Sequence, residues 1–511
     1  MVLRSACGRK MAFRAIRRTA FMLLLMLSVT VYIAFHDLLI PNQTKLAPKY
    51  VYTAGQESHN LAEYIQLSSR NDTWSRPSTP WTPFSLSNCT FGLPLYYAPC
   101  VAQRLPKQVL YAEELIYPAF EIRQPYFATL DHRAQWRRAV ASINDRGVLQ
   151  ANNWLVYKGQ SGQNFVFENV TYLSPKLYDR WSDDACMAKL GSSEGIQPFD
   201  VSEVLARPNP PRIYNTALVA LSPESYAFQH HLDRITHIIA QGSHLSYGRE
   251  TPYVITGRQG NGFVKQLWKG LGFDDEHVLY RTRKDILAER MIFSCRTVLV
   301  HPWLSLKTLE AFGIDYMKPS ATRNKILYMS RSDRHIHTRN AGRRVLNEPE
   351  LLNAIEAHLA ERGKGEEVVI FSEGMLDDVP NFFKWCNENV MAVIGPHGGA
   401  MYHHRWAARG TLVIEMMPTS YTSMAIYEEA SVLSQTYAAL VVEPSSQGGT
   451  NMIIDPEHVV SLLRRHLGIP MQRPHHLFEE DPDDDDDDDD SHLAEDPLRI
   501  SYQWGGKELG V

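Results

Sequence analysis

The chain has 511 residues and a mass of 58.3 kDa, with 44% hydrophobic and 21% charged residues. That balance excludes a wholly disordered chain, and six cysteines are too sparse for a small disulfide-stapled scaffold. The net charge of −5 conceals a cationic start, with Arg4, Arg9, Lys10, Arg14, Arg17 and Arg18, and an acidic run from Glu479 to Asp490. The body between them is close to neutral, which argues against a nucleic-acid binder.

Thr19 to Phe35 is uncharged, and it is the one long apolar run, so a multi-span membrane protein is excluded. Cations precede it and Asp37 follows it. The positive-inside rule then predicts a cytosolic tail over 1–18, a transmembrane signal anchor over 19–36, and everything beyond across the membrane. A cleaved signal peptide is the alternative reading. Residues 37–100, rich in Ser, Thr, Pro and Asn, read as a lumenal stem. Sequons at Asn42, Asn71, Asn88 and Asn169 fit a glycosylated, secretory-pathway protein, and Cys89 and Cys100 could pair there. The scattered Cys186, Cys295 and Cys386 match no zinc spacing and read as unreactive thiols. Residues 471–511 form an acidic tail that cannot bury a core.

Between about 101 and 210 the pattern is weak. From Pro211 onward strands and helices alternate. RIYNTALVAL is a strand, followed by a helix from Ser222 to Ala240 with Ser222 as cap and Pro223 in its first turn. PYVITG, HVLY and RMIFSCRTVLV are further strands, and FVKQLWKGLG is a helix closing on Gly272. The second half repeats the alternation. Its strands are NKILYMS, EEVVIF, VMAVIG, TLVIEM and YAALVV. Its helices include EPELLNAIEAHLAER, VPNFFKWCNEN, SMAIYEEASVLS and DPEHVVSLLRRHL, the last capped by Asp455. Apolar strands alternating with helices predict an α/β protein with parallel sheets covered on both faces. Two such blocks predict two Rossmann-like domains, 101–320 and 321–470, facing one cleft.

Four groups of residues could carry chemistry. Gly395-Pro396-His397-Gly398-Gly399 joins a buried strand to a short helix, at the carboxyl edge of a parallel sheet where ligands bind. Its glycine amides and the helix start suit a diphosphate, and His397 can donate to a phosphate oxygen. The alternative is a tight turn with a structural histidine. Arg331 ends the preceding strand and opens a cation-rich loop with Arg334, Arg339, Arg343 and Arg344; guanidinium forks match phosphate oxygens, unless they simply pair with Asp333 or Glu348. His230 and Asp233 stand three apart on a helix and share a face, as a general base and its orienting partner or as a plain surface pair. Glu415 ends an apolar strand, where a carboxylate needs a partner such as a sugar or ribose hydroxyl, or else a nearby arginine.

These blocks in this order resemble glycosyltransferase family 61. The resemblance rests on His230 and Asp233, on Ser330-Arg331 followed by Asn347-Glu348, and on the Gly395, His397, Gly398 loop. It covers about 210–445. The chain departs from the family by reading His-Gly-Gly-Ala where His-Gly-Ala is common, and His403-His404-Arg405 where Asn or Asp is frequent. The resemblance implies a GT-B fold, with residues 101–320 on the acceptor side and 321–470 holding the nucleotide sugar. It implies an inverting glycosyltransferase that moves xylose, arabinose or N-acetylglucosamine from a UDP-sugar to a glycan or glycoprotein. The expected roles are His230 or Asp233 as base, and Arg331, Gly395, His397, Gly398, Gly399 and Glu415 on the donor. No metal or other cofactor is expected: leaving-group charge falls to side chains and helix dipoles, and a clear D-x-D pair is lacking outside the acidic tail. The expected location is the Golgi or endoplasmic reticulum membrane, single-pass, with the catalytic part lumenal. The alternative is a catalytically inactive lumenal lectin or scaffold on the same fold.

Overall fold

The computed structural model describes residues 83–87, 109–143, 147–149, 153–157, 160–173, 196–222, 226–246, 250–280, 285–295, 300–315, 323–332, 342–446, 449–469, 497–500, 503–504 and 507–508. The apolar run 19–35, three of the four sequons, Cys89, Cys100, Cys186, Arg334, Arg339 and the acidic tract lie outside them. Among the described residues no helix is long and apolar enough to cross a membrane.

The architecture is mixed α/β with two large sheets. The first has the order Phe84–Ser87, Val109–Tyr117, Gln160–Tyr172, Ile286–Cys295, Ile213–Val219, Tyr253–Thr256 and Val278–Tyr280. Its last four strands run parallel, and the others are added antiparallel. Those antiparallel strands are a departure from the expected all-parallel sheet. Their residues carry broken, weakly alternating patterns that give little signal before Pro211.

The second sheet is parallel throughout, in the order Glu367–Ile370, Lys325–Tyr328, Val390–Pro396, Leu412–Pro418, Thr436–Val442 and Tyr126–Phe127. Its central strands read as continuous apolar runs because both faces are covered. On one face Val393, Val413 and Ala439 meet Phe382, Phe383 and Tyr427; on the other Ile394, Leu412 and Ala438 meet Leu351, Ile355, Leu359, Val459 and Leu463. Strand alternation assigns successive residues to opposite cores.

The helices on the second face have the predicted ends. Asn347 precedes Glu348–Arg362, two acids occupy its first turn, and Gly363 closes it with a left-handed φ of 59°. Asp455 caps Pro456–His466 by accepting from the amide of Glu457 at 3.0 Å. The helix expected from Ser222 differs. It begins at Phe228, after Ala227 in extended conformation, widens into a π-type turn over His231–Ile235, and resumes as Thr236–Gly242. Ser222 therefore does not cap it. Such widened turns occur frequently at functional sites, and this one contains Asp233.

Candidate functional site

Three strands of the parallel sheet deliver the site. Lys325–Tyr328, Val390–Pro396 and Leu412–Pro418 lie side by side, and their carboxyl ends release Arg331, the His397 loop and Tyr421 at one edge. Gly395 lets the first two approach: a β-carbon there would sit 2.7 Å from that of Met329 and 2.8 Å from its carbonyl oxygen. The chain register then sets Arg331 against the glycine loop. A β-carbon on Gly398 would collide with the Arg331 guanidinium. Gly398 itself is extended, with φ 168° and ψ 174°, so it matters for the room it leaves and not for its torsions.

Arg331 is 7% exposed, and its Nε donates to the Gly342 carbonyl at 3.1 Å. Burial, and then the neighbouring charge of Arg343, lower its pKa to about 10. The guanidinium stays charged at neutral pH. Ser330 just before it donates to Glu348 at 2.8 Å, and Tyr328 reaches the same carboxylate at 3.3 Å. Glu348 thus belongs to the root of the strand and the start of the following helix, the Ser-Arg and Asn-Glu blocks meeting in space.

His397 is 7% exposed. Its Nδ1 lies 2.6 Å from Glu415 Oε1, and its amide donates to the Met416 carbonyl at 2.9 Å. The other oxygen of Glu415 accepts from the Tyr437 hydroxyl. Glu415 is fully buried, so burial and two partners satisfy it. This departs from the expected contact with a sugar or ribose hydroxyl: the carboxylate stands behind His397 and turns its ring. With Nδ1 donating to Glu415, Nε2 is the nitrogen left to face the loop edge.

The helix that carries His230 and Asp233 comes close to the same loop. A β-carbon on Gly399 would sit 2.6 Å from Gln229 Oε1, next in sequence to His230, and Phe228 stacks on His403 with centroids 4.6 Å apart. His230 Nδ1 lies 3.7 Å from Asp233 Oδ2, and both side chains are about one-fifth exposed. That is contact without a full hydrogen bond. Asp233 is also felt electrostatically by Tyr402 and Glu429. Arg331, His397, Gly398 and Glu415 thus meet at one strand-end edge, and the helix that carries His230 and Asp233 reaches the same loop through Gln229 and Phe228.

Several residues there were not read from the sequence. Arg405, almost fully buried, lies 3.3 Å from Glu429, whose other oxygen accepts from Ser305 at 3.1 Å. Burial raises the pKa of Glu429, and Arg405 opposes the rise. The Tyr421 ring lies 5.5 Å from that of His397, and the Arg343 guanidinium carbon lies 4.5 Å from its centroid. The signal for Tyr421 was its place just after a strand's carboxyl end. Cys386 is buried, and burial pushes its thiol well above the usual range, as expected of an inert cysteine. Among the described residues no group of three or more His, Cys, Asp or Glu comes together that could hold a metal ion.

The Arg331 guanidinium and the His397 loop meet at the carboxyl edge of a parallel sheet, where open α/β sheets place their ligand sites. The family model for Glycosyltransferase 61 matches residues 78–414, more than half of the chain. The chain belongs to glycosyltransferase family 61. No curated protein matches it significantly. Family membership makes it a glycosyltransferase, with a sugar donor and a glycan acceptor as its partners.

Proposed function

We propose that this chain transfers a sugar from a UDP-sugar donor, of xylose, arabinose or N-acetylglucosamine, to a glycan or glycoprotein, with inversion at the anomeric carbon. The reading takes the two sheets as the cores of two Rossmann-like lobes in GT-B arrangement, about 101–320 and 321–470, with the donor on the second. It takes the chain as a single-pass protein of the Golgi or endoplasmic reticulum membrane with its catalytic part lumenal. The observation that carries the donor assignment is the fit of the Arg331 guanidinium against Gly398, beside His397.

In this reaction the acceptor oxygen attacks the anomeric carbon and its proton passes to Asp233, with His230 at 3.7 Å as its partner or as the base itself. The bond from the anomeric carbon to the diphosphate oxygen breaks. Arg331, the Gly398–Gly399 amides and His397 Nε2 take up the charge that develops on the leaving group. Glu415 holds His397 in the orientation and tautomer that aim Nε2 outward. The reading assigns no metal to the transfer.

The test is UDP binding and donor-panel hydrolysis by the full chain in detergent. Arg331→Ala should keep the melting temperature and lose UDP affinity; His397→Ala should lose UDP affinity and also some stability, because the buried Glu415 loses a partner. Asp233→Asn should lower turnover and leave UDP affinity intact. Unchanged UDP affinity in the first two variants would remove the donor assignment, and full transfer by the third would remove Asp233 as base.

A further inference from the structure

Arg343 is held in a way that costs free energy. Its φ is +56°, in the left-handed region that is sparsely populated for a residue with a β-carbon. The segment is pinned there from outside. The amide of Arg343 donates to Thr450 Oγ1 at 3.1 Å and that of Arg344 to Asn451 Oδ1 at 3.1 Å; the Leu346 amide donates to the Met452 carbonyl and the Met452 amide to the Arg344 carbonyl, both at 2.8 Å. The neighbouring Gly342, at φ +101°, offers its carbonyl to Arg331 Nε. Two guanidinium groups are thus fixed to one short turn, Arg331 at 7% and Arg343 at 8% exposure. The charge of Arg343, after burial, lowers the proton affinity of Arg331. Strain and like charge together are what a preformed anion site stores.

Tyr421 links this second guanidinium to the first group. It sits on the loop after Leu412–Pro418, its amide donating to the Pro418 carbonyl at 2.9 Å. Ser420 Oγ, just before it, donates to the Gly449 carbonyl at 2.9 Å, on the same loop that pins Arg343. The ring is 48% exposed, with the Arg343 guanidinium carbon 4.5 Å from its centroid and the His397 ring at 5.5 Å. A cation over an aromatic face is oriented as well as attracted.

We propose that Arg343 is a second diphosphate ligand and Tyr421 the positioning residue that aims it, so that Arg331 and Arg343 grip a nucleoside diphosphate from two sides. The proposal rests on the donor-site reading above. It adds that the site selects a diphosphate over a monophosphate, because a diphosphate gives each guanidinium a phosphate of its own and carries more negative charge between them.

Binding of UDP and UMP to the full chain in detergent tests it, with the melting temperature of each variant measured alongside. The wild-type chain should bind UDP at least about tenfold more tightly than UMP, the worth of one charge-assisted contact. Arg343→Gly is the decisive variant. It removes the side chain while relieving the left-handed backbone, so its melting temperature should hold or rise while UDP affinity falls about tenfold or more toward that of UMP. Tyr421→Ala should weaken UDP several-fold, and Tyr421→Phe, which keeps the ring, should match the wild type. UDP affinity within twofold of wild type in Arg343→Gly, or an equal loss of UDP and UMP, overturns the clamp alone. Wild-type UDP affinity in Tyr421→Ala overturns the positioning role. Failure of the wild-type chain to bind either nucleotide overturns the donor-site reading and the clamp with it.

Discussion

His397 and Glu415 face each other across neighbouring parallel strands, Nδ1 to Oε1 at 2.6 Å, with the carboxylate fully buried beneath the ring. The two residues are 18 apart in sequence but adjacent in the sheet, where Pro396 pairs with Met416. A buried carboxylate in this place fixes which imidazole nitrogen is left to face outward.

Glu415→Gln keeps the shape and removes the charge. It should lower UDP affinity about tenfold, the scale of one charge-assisted hydrogen bond, with little change in melting temperature. Glu415→Ala should also lose about 1–3 kcal/mol of stability, because His397 and Tyr437 are left buried without an acceptor. Calorimetric UDP titration and denaturant unfolding of both variants separate the two effects.

Gly398→Ala isolates the grip of Arg331. The residue is extended, so the new methyl group brings no backbone strain; it only occupies the space of the guanidinium. UDP affinity should fall about tenfold while the melting temperature stays within a few degrees of the wild type. A variant that binds UDP normally would show that Arg331 is free to move aside without loss.

The Arg405–Glu429 pair should be visible in stability and in its pH dependence. Arg405→Met leaves Glu429 buried without its cation, and breaking such a pair costs about 3–5 kcal/mol. Burial already raises the Glu429 pKa above 4.5, and Arg405 holds the rise in check. Without it the folded-state pKa rises further. An acid whose folded pKa is raised binds its proton more readily in the native state, so stability falls as pH rises above the unfolded value. The variant should therefore lose more stability at pH 8 than at pH 5, measured as the urea midpoint, and Arg405→Met with Glu429→Leu should recover part of the loss.

Four buried histidines set the opposite slope. Burial lowers His237, His301, His403 and His404 to about 3, so all four are neutral in the fold at pH values where the unfolded chain protonates them. Their folded pKa values are depressed. Stability is therefore highest above about pH 6.5 and is lost as pH falls toward 3, with a slope of about 1.4 kcal/mol per pH unit for each group. His404→Gln, at a ring whose Nδ1 meets Gln435 at 2.8 Å, should reduce the acid slope by one proton. Unfolding free energies from pH 7 to pH 4 give that slope directly.

The second half was legible because its physics is local. The strands of the parallel sheet are apolar on both faces, and Asp455, Glu348 and Gly363 mark helix ends by chemistry confined to one turn. The diphosphate candidates were legible for the same reason: glycines, His397 and Arg331 follow directly on strand ends. The antiparallel strands of the first sheet were not, because their pairing joins Val109–Tyr117 to Gln160–Tyr172 and that to Ile286–Cys295 over long separations. Residues whose roles arise only from contact escaped as well. Tyr421 and Tyr437 have no motif, and Glu415 reads as a ligand-facing acid until its two oxygens are found engaged. Arg343 was visible as charge, but its left-handed backbone was not.

The borrowed edge of the parallel sheet limits how the chain can be cut. Tyr126–Phe127 pairs with Ala438 and Ala439, His132 binds the Val441 carbonyl at 2.8 Å, Trp136 packs on Tyr427, and Arg465 reaches back to the Phe127 carbonyl at 3.0 Å. A fragment starting near residue 321 would carry Arg331, Arg343, His397 and Tyr421 yet leave the outermost ribbon of the sheet bare, an invitation to stick to other copies of itself. Supplying residues 120–143 in trans should restore its solubility, which makes that short stretch a handle for splitting the enzyme and rejoining it at will.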